Sequence, residues 1–191
     1  MDFMTITTQP RRRKSLRQRR GFSLVEVMIG ASIGSFILLG VLTMFLFLGR
    51  SGVNLGNYSD MESQARKALE LFAEDTRQAK GVTWASADSV TLDVEGVNVV
   101  YTYASGNFTR TKNSVTTKLV TGVTGFTFLA YTINGTAITD FSDAAKRATA
   151  DHTTKQIQVS LSAARNTRTV ATSTNLVLSA RYVLRNKSVT A

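Results

Sequence analysis

The 191-residue chain has no cysteine, which excludes a disulfide scaffold, a thiolate zinc site and a cysteine nucleophile. Its single histidine, His152, leaves no His-pair metal site and little general-base chemistry. Its single proline, Pro10, precedes everything discussed below, so no later helix is obliged to kink by ring clash. P-loop, dinucleotide, G-x-S-x-G and zincin motifs are all missing. The chain is therefore not expected to be an enzyme, and no catalytic residue, cofactor or metal is assigned. Acid is also scarce, with 13 Asp and Glu against 23 Lys and Arg and a net charge of +10. What the chain does have is apolar residues: 43% hydrophobic against 19% charged, too apolar for a disordered polymer.

The excess of positive charge is unevenly placed. Arg11, Arg12, Arg13, Lys14, Arg17, Arg19 and Arg20 face Asp2 alone, so residues 1–21 carry +6 of the total. Residues 22–191 carry the other +4 without a dense basic patch or an aromatic-basic stripe, and no direct nucleic-acid contact is expected. The basic arm leads instead into Phe22–Leu48, 27 residues with one charge, Glu26. As a helix this run is about 40 Å long, against roughly 30 Å of bilayer hydrocarbon. A single span follows, with the cationic N-terminus in the cytoplasm by the positive-inside rule and the remaining chain outside it. A cleavable secretory signal fits poorly, because the apolar run is too long and no A-x-A site ends it. A twin-arginine signal around Arg19-Arg20 fits poorly too, because Glu26 interrupts the apolar region.

Arg19-Arg20-Gly21-Phe22-Ser23-Leu24-Val25-Glu26 resembles the signal of type IV pilins and type II secretion pseudopilins. In that family a basic leader ends in Gly, the mature chain starts with an apolar residue, and Glu occupies its fifth position ahead of an unbroken apolar helix. The resemblance implies cleavage between Gly21 and Phe22 by a membrane-embedded prepilin peptidase, which also N-methylates Phe22. It implies partnership with other pilin or pseudopilin subunits and with the filament assembly machinery. It also implies a life first as an inner-membrane precursor and then in a pilus or pseudopilus.

Physical chemistry gives these residues reasons of their own. Gly21 enters a tight protease site in extended form. The leader's charges hold the scissile bond at the cytoplasmic membrane face. Glu26, four residues after Phe22, gains from the helix dipole. A carboxylate at mid-membrane costs about 2.5–3.5 kcal/mol on insertion scales. A neighbouring subunit's Phe22 amine would offset that cost and set axial register; snorkelling, or pairing with its own Phe22 amine, is the alternative. Gly30 and Gly34 form a GxxxG pair that suits close helix packing in lipid, or is ordinary transmembrane composition.

Beyond the span, Gly49-Arg50-Ser51-Gly52 marks the membrane exit and a weak point in the helix. Helical periodicity then runs through Tyr58, Met61, Ala65, Ala68, Leu69, Phe72, Ala73, Thr76 and Ala79, with Glu62, Arg66, Glu74 and Asp75 on the other faces. Ser59–Glu62 is a capping box if the helix restarts there, and Lys80-Gly81 is a stop signal.

After residue 81 the period changes to that of strands: Ser89–Val94, Val97–Tyr103, Phe108–Arg110, Val115–Val120, Phe126–Tyr131, Lys155–Ala163 and Leu176–Arg185. Turns are expected at Glu95-Gly96, Gly106-Asn107, Asn113-Ser114 and Asn134-Gly135, the last as a two-residue hairpin. His152 reads as a histidine in a solvent-exposed loop, and Trp84 as a core anchor. Asp140, Asp143 and Asp151 match no standard cation loop. The stretches Ala65–Leu69, Glu74–Ala79, Gly122–Phe128 and Ala180–Asn186 resemble J-type minor pseudopilins and related minor pilins, which tilts the expectation toward a minor subunit.

The expected fold is α+β and pilin-like: a long N-terminal helix packed on an antiparallel β-sheet head. The expected division is 1–21 leader, 22–49 transmembrane and assembly helix, 50–80 amphipathic half and 81–191 extracytoplasmic head. The competing expectation is an uncleaved, single-pass, membrane-anchored binding or sensory domain.

Overall fold

The computed structural model describes residues 21–165 and 174–189. Arg19, Arg20 and the rest of the leader lie outside the described residues. The chain divides into two compact units at Leu46 and Phe47, and the helix α1, Leu24–Gln78, contributes to both.

In the first unit, α1 has no protein core to serve. From Gly21 to Arg50 every residue except Gly34 is exposed, Phe36 at 81%. Long, branched and aromatic apolar side chains exposed in such density fit a hydrocarbon solvent and not water. The hydroxyls within this stretch are satisfied by the helix itself: Ser32 and Ser35 donate to the carbonyls of Met28 and Ala31, each at 2.8 Å, and Thr43 donates to that of Leu39. Lipid tolerates polar groups that are bonded internally.

The helix does not weaken at the expected place. α1 runs unbroken through Gly49, Gly52, Ser59 and Glu62. No restart occurs, so Ser59–Glu62 is not a capping box; Glu62 accepts from Arg66 Nη2 at 2.6 Å, one turn along. Each glycine costs about 1 kcal/mol of helix propensity, and continuation on both sides outweighs that local preference.

The second unit is built from two antiparallel sheets and the C-terminal part of α1. The first sheet has strands β1 (Gly81–Ser86), β2 (Ser89–Val94), β3 (Val97–Ala104), β4 (Asn107–Lys112) and β5 (Val115–Thr121), in sequence order. Its hairpins close at Val94↔Val97, Ala104↔Asn107 and Lys112↔Val115, leaving two residues in each turn. All six turn residues have positive φ: Glu95 and Gly96, Ser105 and Gly106, Asn113 and Ser114. Positive φ at both positions defines the type I′ turn, whose twist matches that of the strands it joins. The second sheet has β6 (Val123–Tyr131), β7 (Ala137–Ile138), β8 (Gln156–Arg165) and β9 (Thr174–Val183), in the order β7-β6-β8-β9. Its first hairpin departs from expectation. Tyr131 pairs with Ala137, so Asn134-Gly135 sits inside a five-residue loop closed by Thr132 N donating to Thr136 O.

Met61, Ala65, Ala68, Phe72 and Thr76 form the buried stripe of α1, with buried Ala79 just past its end, the three- and four-residue spacing of a helix with one face on a core. Tyr58, expected in that stripe, is 45% exposed, so packing begins at Met61. Phe72 meets Tyr101 edge-on at 4.9 Å and lies 6.0 Å from Phe128. Trp84 is the anchor it was expected to be: 2% exposed, stacked obliquely on Phe141 at 4.5 Å, with Nε1 donating to Thr154. The α+β, pilin-like architecture holds.

The short helix α2, Ala144–Thr153, stands where a polar loop was expected. It buries only Ala150, so the sequence shows no apolar stripe there. Asp143 caps its start by accepting from Lys146 N at 2.8 Å. His152 is exposed, as expected, but lies in the last turn of α2. The chain's C-terminal segment closes this end: Lys187 Nζ donates to the carbonyls of Asp151, His152 and Thr154, and Asn186 Nδ2 donates to Gln78 O.

Candidate functional site

Gly21 and Phe22 precede α1 in non-helical backbone, and Phe22 is 82% exposed. The bond between them is thus outside the helix and sterically open, the condition a protease needs. Ser23 is the first residue fixed by the helix: its carbonyl accepts from Val27 N at 3.1 Å. Its hydroxyl accepts from Glu26 N at 3.2 Å, and the Glu26 carboxylate accepts in return from Ser23 N at 3.4 Å. This reciprocal pair is a capping box, S-x-x-E, which satisfies two amides that the helix leaves orphaned. The signal was present in Ser23-Leu24-Val25-Glu26, but the box had been sought at Ser59.

Glu26 therefore stands in the first turn of α1, where the helix dipole favours a carboxylate. It is exposed, and apart from Ser23 its surroundings are apolar side chains. Gly30 and Gly34 continue along the same helix, and a Cβ added at either would meet nothing within 4 Å. The basic residues Arg19 and Arg20 lie outside the described residues.

Residues 16–42 match the prokaryotic N-terminal methylation motif. The chain carries the type IV pilin and pseudopilin signal. That match covers the Gly21-Phe22 junction, Glu26 and both glycines, and it stops before the head. No curated protein matches the chain. The motif supports a type IV pilin-like precursor. It implies processing by prepilin peptidase, assembly with pilin partners and a membrane-anchored precursor stage.

The head contains a second concentration of charge, which sequence reasoning missed. Asp75, expected on a solvent face, is 4% exposed. Its carboxylate accepts from Tyr101 OH at 2.6 Å, from Arg110 Nε at 2.7 Å and from Arg110 Nη2 at 3.0 Å. The three side chains come from α1, β3 and β4, so the cluster ties the helix to the first sheet. Burial, and then the bond donated to Asp75, push the Tyr101 hydroxyl well above its ordinary ionisation range. The hydrogen bonds that Arg110 donates to Asp75 likewise push the guanidinium upward. Both carboxylate oxygens are occupied by a fork-shaped guanidinium and a phenol. The cluster is a fastening and offers no open position to a substrate.

The three acids Asp140, Asp143 and Asp151 are likewise committed. Asp140 pairs with Lys146 at 2.5 Å, and that hydrogen bond holds its carboxyl well below the usual range. Asp143 caps α2, and Asp151 accepts from Trp84 N at 2.6 Å. Among the described residues no group of three or more His, Asp or Glu is placed to hold a metal ion.

Proposed function

We propose that the chain is a minor pilin or pseudopilin, cleaved after Gly21, N-methylated at Phe22 and polymerised through the apolar part of α1 into a type IV pilus or a type II secretion-like filament. The single observation that carries this is the motif at residues 16–42, set at the start of a helix whose apolar side chains are exposed throughout residues 24–48. In this reading residues 1–21 are the leader, 22–49 the membrane and assembly segment, 50–80 the amphipathic half and 81–191 the extracytoplasmic head. Among the described residues Glu26 is engaged by Ser23. Cleavage removes the seven leader cations and creates one new cation, the Phe22 amine, at the start of the helix. An incoming subunit brings such an amine to the Glu26 of its neighbour, and the charge-assisted bond fixes the axial step. Gly30 and Gly34 admit the close helix approach that this pairing needs. The tilt toward a minor subunit rests on the resemblance of residues 65–69, 74–79, 122–128 and 180–186 to J-type minor pseudopilins and related minor pilins.

Intact-mass measurement of the protein from its native host tests the processing: loss of residues 1–21 with one added methyl is expected, and an uncleaved chain overturns the proposal in favour of a monomeric anchored domain. Glu26→Ala tests the assembly role. Cleavage should persist while incorporation into filaments falls, and normal incorporation would remove Glu26 from the mechanism.

A further inference from the structure

A β-sheet edge exposes unpaired backbone groups, and proteins guard such edges with bulges, charges, short strands or covering elements. Three of the four sheet edges in the head are guarded. β1 has a bulge between Trp84 and Ser86, and its Trp84 amide donates to Asp151 of α2. β5 presents the exposed Lys118, and its Thr121 amide donates to Gln64 of α1. β7 is two residues long.

Among the described residues the fourth edge has none of these protections. β9 spans ten residues, pairs with β8 in continuous register from Thr174 to Val183, and has no other strand partner among the described residues. It contains no proline, glycine or bulge, and Val177 is 76% exposed. Its one charged side chain, Arg181, is drawn back over the sheet. The guanidinium lies 3.6 Å from the centre of the Tyr131 ring and donates through Nη2 to Gln158 Oε1 at 3.0 Å. The charge that would protect the edge is held away from it.

We propose that β9 is a pairing surface for the β9 strand of a second copy of this chain, giving a continuous eight-stranded sheet. The occupant must be an extended strand with no charge standing at its edge and apolar side chains on both faces, and β9, whose single charge Arg181 is drawn back over the sheet, meets that description. The guarded strands β1, β5 and β7 of a second copy do not. Antiparallel self-pairing keeps the two faces matched when it is centred on Leu178 or Ser179. Centred on Ser179, Val177 lies opposite Arg181, Leu178 opposite Ala180 and Leu176 opposite Tyr182. The two Arg181 side chains then stand four residues apart along the strand direction, about 13 Å, so no like charges oppose each other. Such a two-fold pair is closed and does not propagate. It is independent of the fibre contacts proposed above, and its failure would leave them untouched.

The cysteine-free sequence makes the test direct. The full chain is produced in membranes of a host without pilus genes and oxidised mildly. The variants are Ser179→Cys, the double variant Val177→Cys/Ser179→Cys, and Ser160→Cys as the control on β8, one strand inward on the same face. At least one of the first two should give a disulfide-linked dimer about tenfold above the control, because only edge residues come within disulfide reach of a second copy. Linking of both at the level of Ser160→Cys, whether all high or all absent, overturns the proposal.

Discussion

At the scale of single residues, one side chain serves two purposes at the start of α1. Glu26 caps the helix through Ser23 and, in the proposed mechanism, supplies the charge that a neighbour recognises. Glu26→Gln separates the two, because glutamine also completes a capping box but brings no charge. Incorporation should fail for Glu26→Gln as it does for Glu26→Ala, measured as the fraction of subunit recovered in sheared filaments; rescue by glutamine would mean that capping alone matters. In the head, Tyr101 links stability to pH. Its folded ionisation lies above its unfolded value near pH 10, so its contribution is intact below pH 10 and is lost as pH rises further. An absorbance titration of the five tyrosines should show Tyr101 protonated until the head unfolds. Tyr101→Phe should cost about 1–2 kcal/mol at neutral pH. Gly122 is a third case. With φ at +73° and a would-be Cβ only 2.8 Å from Ala164 O, Gly122→Ala should destabilise the head by about 1–3 kcal/mol. Gly96→Ala, at φ +83° in open space, should cost less by chemical denaturation.

At the scale of elements, much was legible. Alternation in Ile157, Val159, Leu161 and Ala163 located β8, and Ser89–Val94 matched β2 end to end. Glu95-Gly96 and Asn113-Ser114 announced two of the three type I′ turns. Legibility failed wherever local preference was overruled by distant contacts. α2 buries a single alanine, so its position depends on the Asp143 cap and on Lys187, arriving from the far end of the chain. Asp75 looked solvent-facing because its partners, Tyr101 and Arg110, are 26 and 35 residues away. Gly49 and Gly52 read as a break because composition records the cost of a glycine but not the cooperativity of a helix already formed on both sides. At the proposed site the junction, the acid and the span were all readable, because each is local. The capping box was readable too, in four consecutive residues.

At the scale of the whole molecule, the proposed orientation depends on charge placed before the first helical residue. Replacing Arg11, Arg12, Arg13, Lys14, Arg17, Arg19 and Arg20 by glutamine should lower the fraction of heads reached by protease from outside the cytoplasmic membrane. Unchanged protection would show that the leader does not set topology. The successive type I′ hairpins have a kinetic consequence. Strands β2 to β5 each meet the next across two residues, so this half of the head closes its loops at little entropic cost. The pairing of β6 with β8 must wait for a much longer stretch of chain to be gathered in. In the proposed topology, residues emerging first from the membrane can thus organise a native sheet before the last strand has been translocated, and φ-values near one should cluster in that meander.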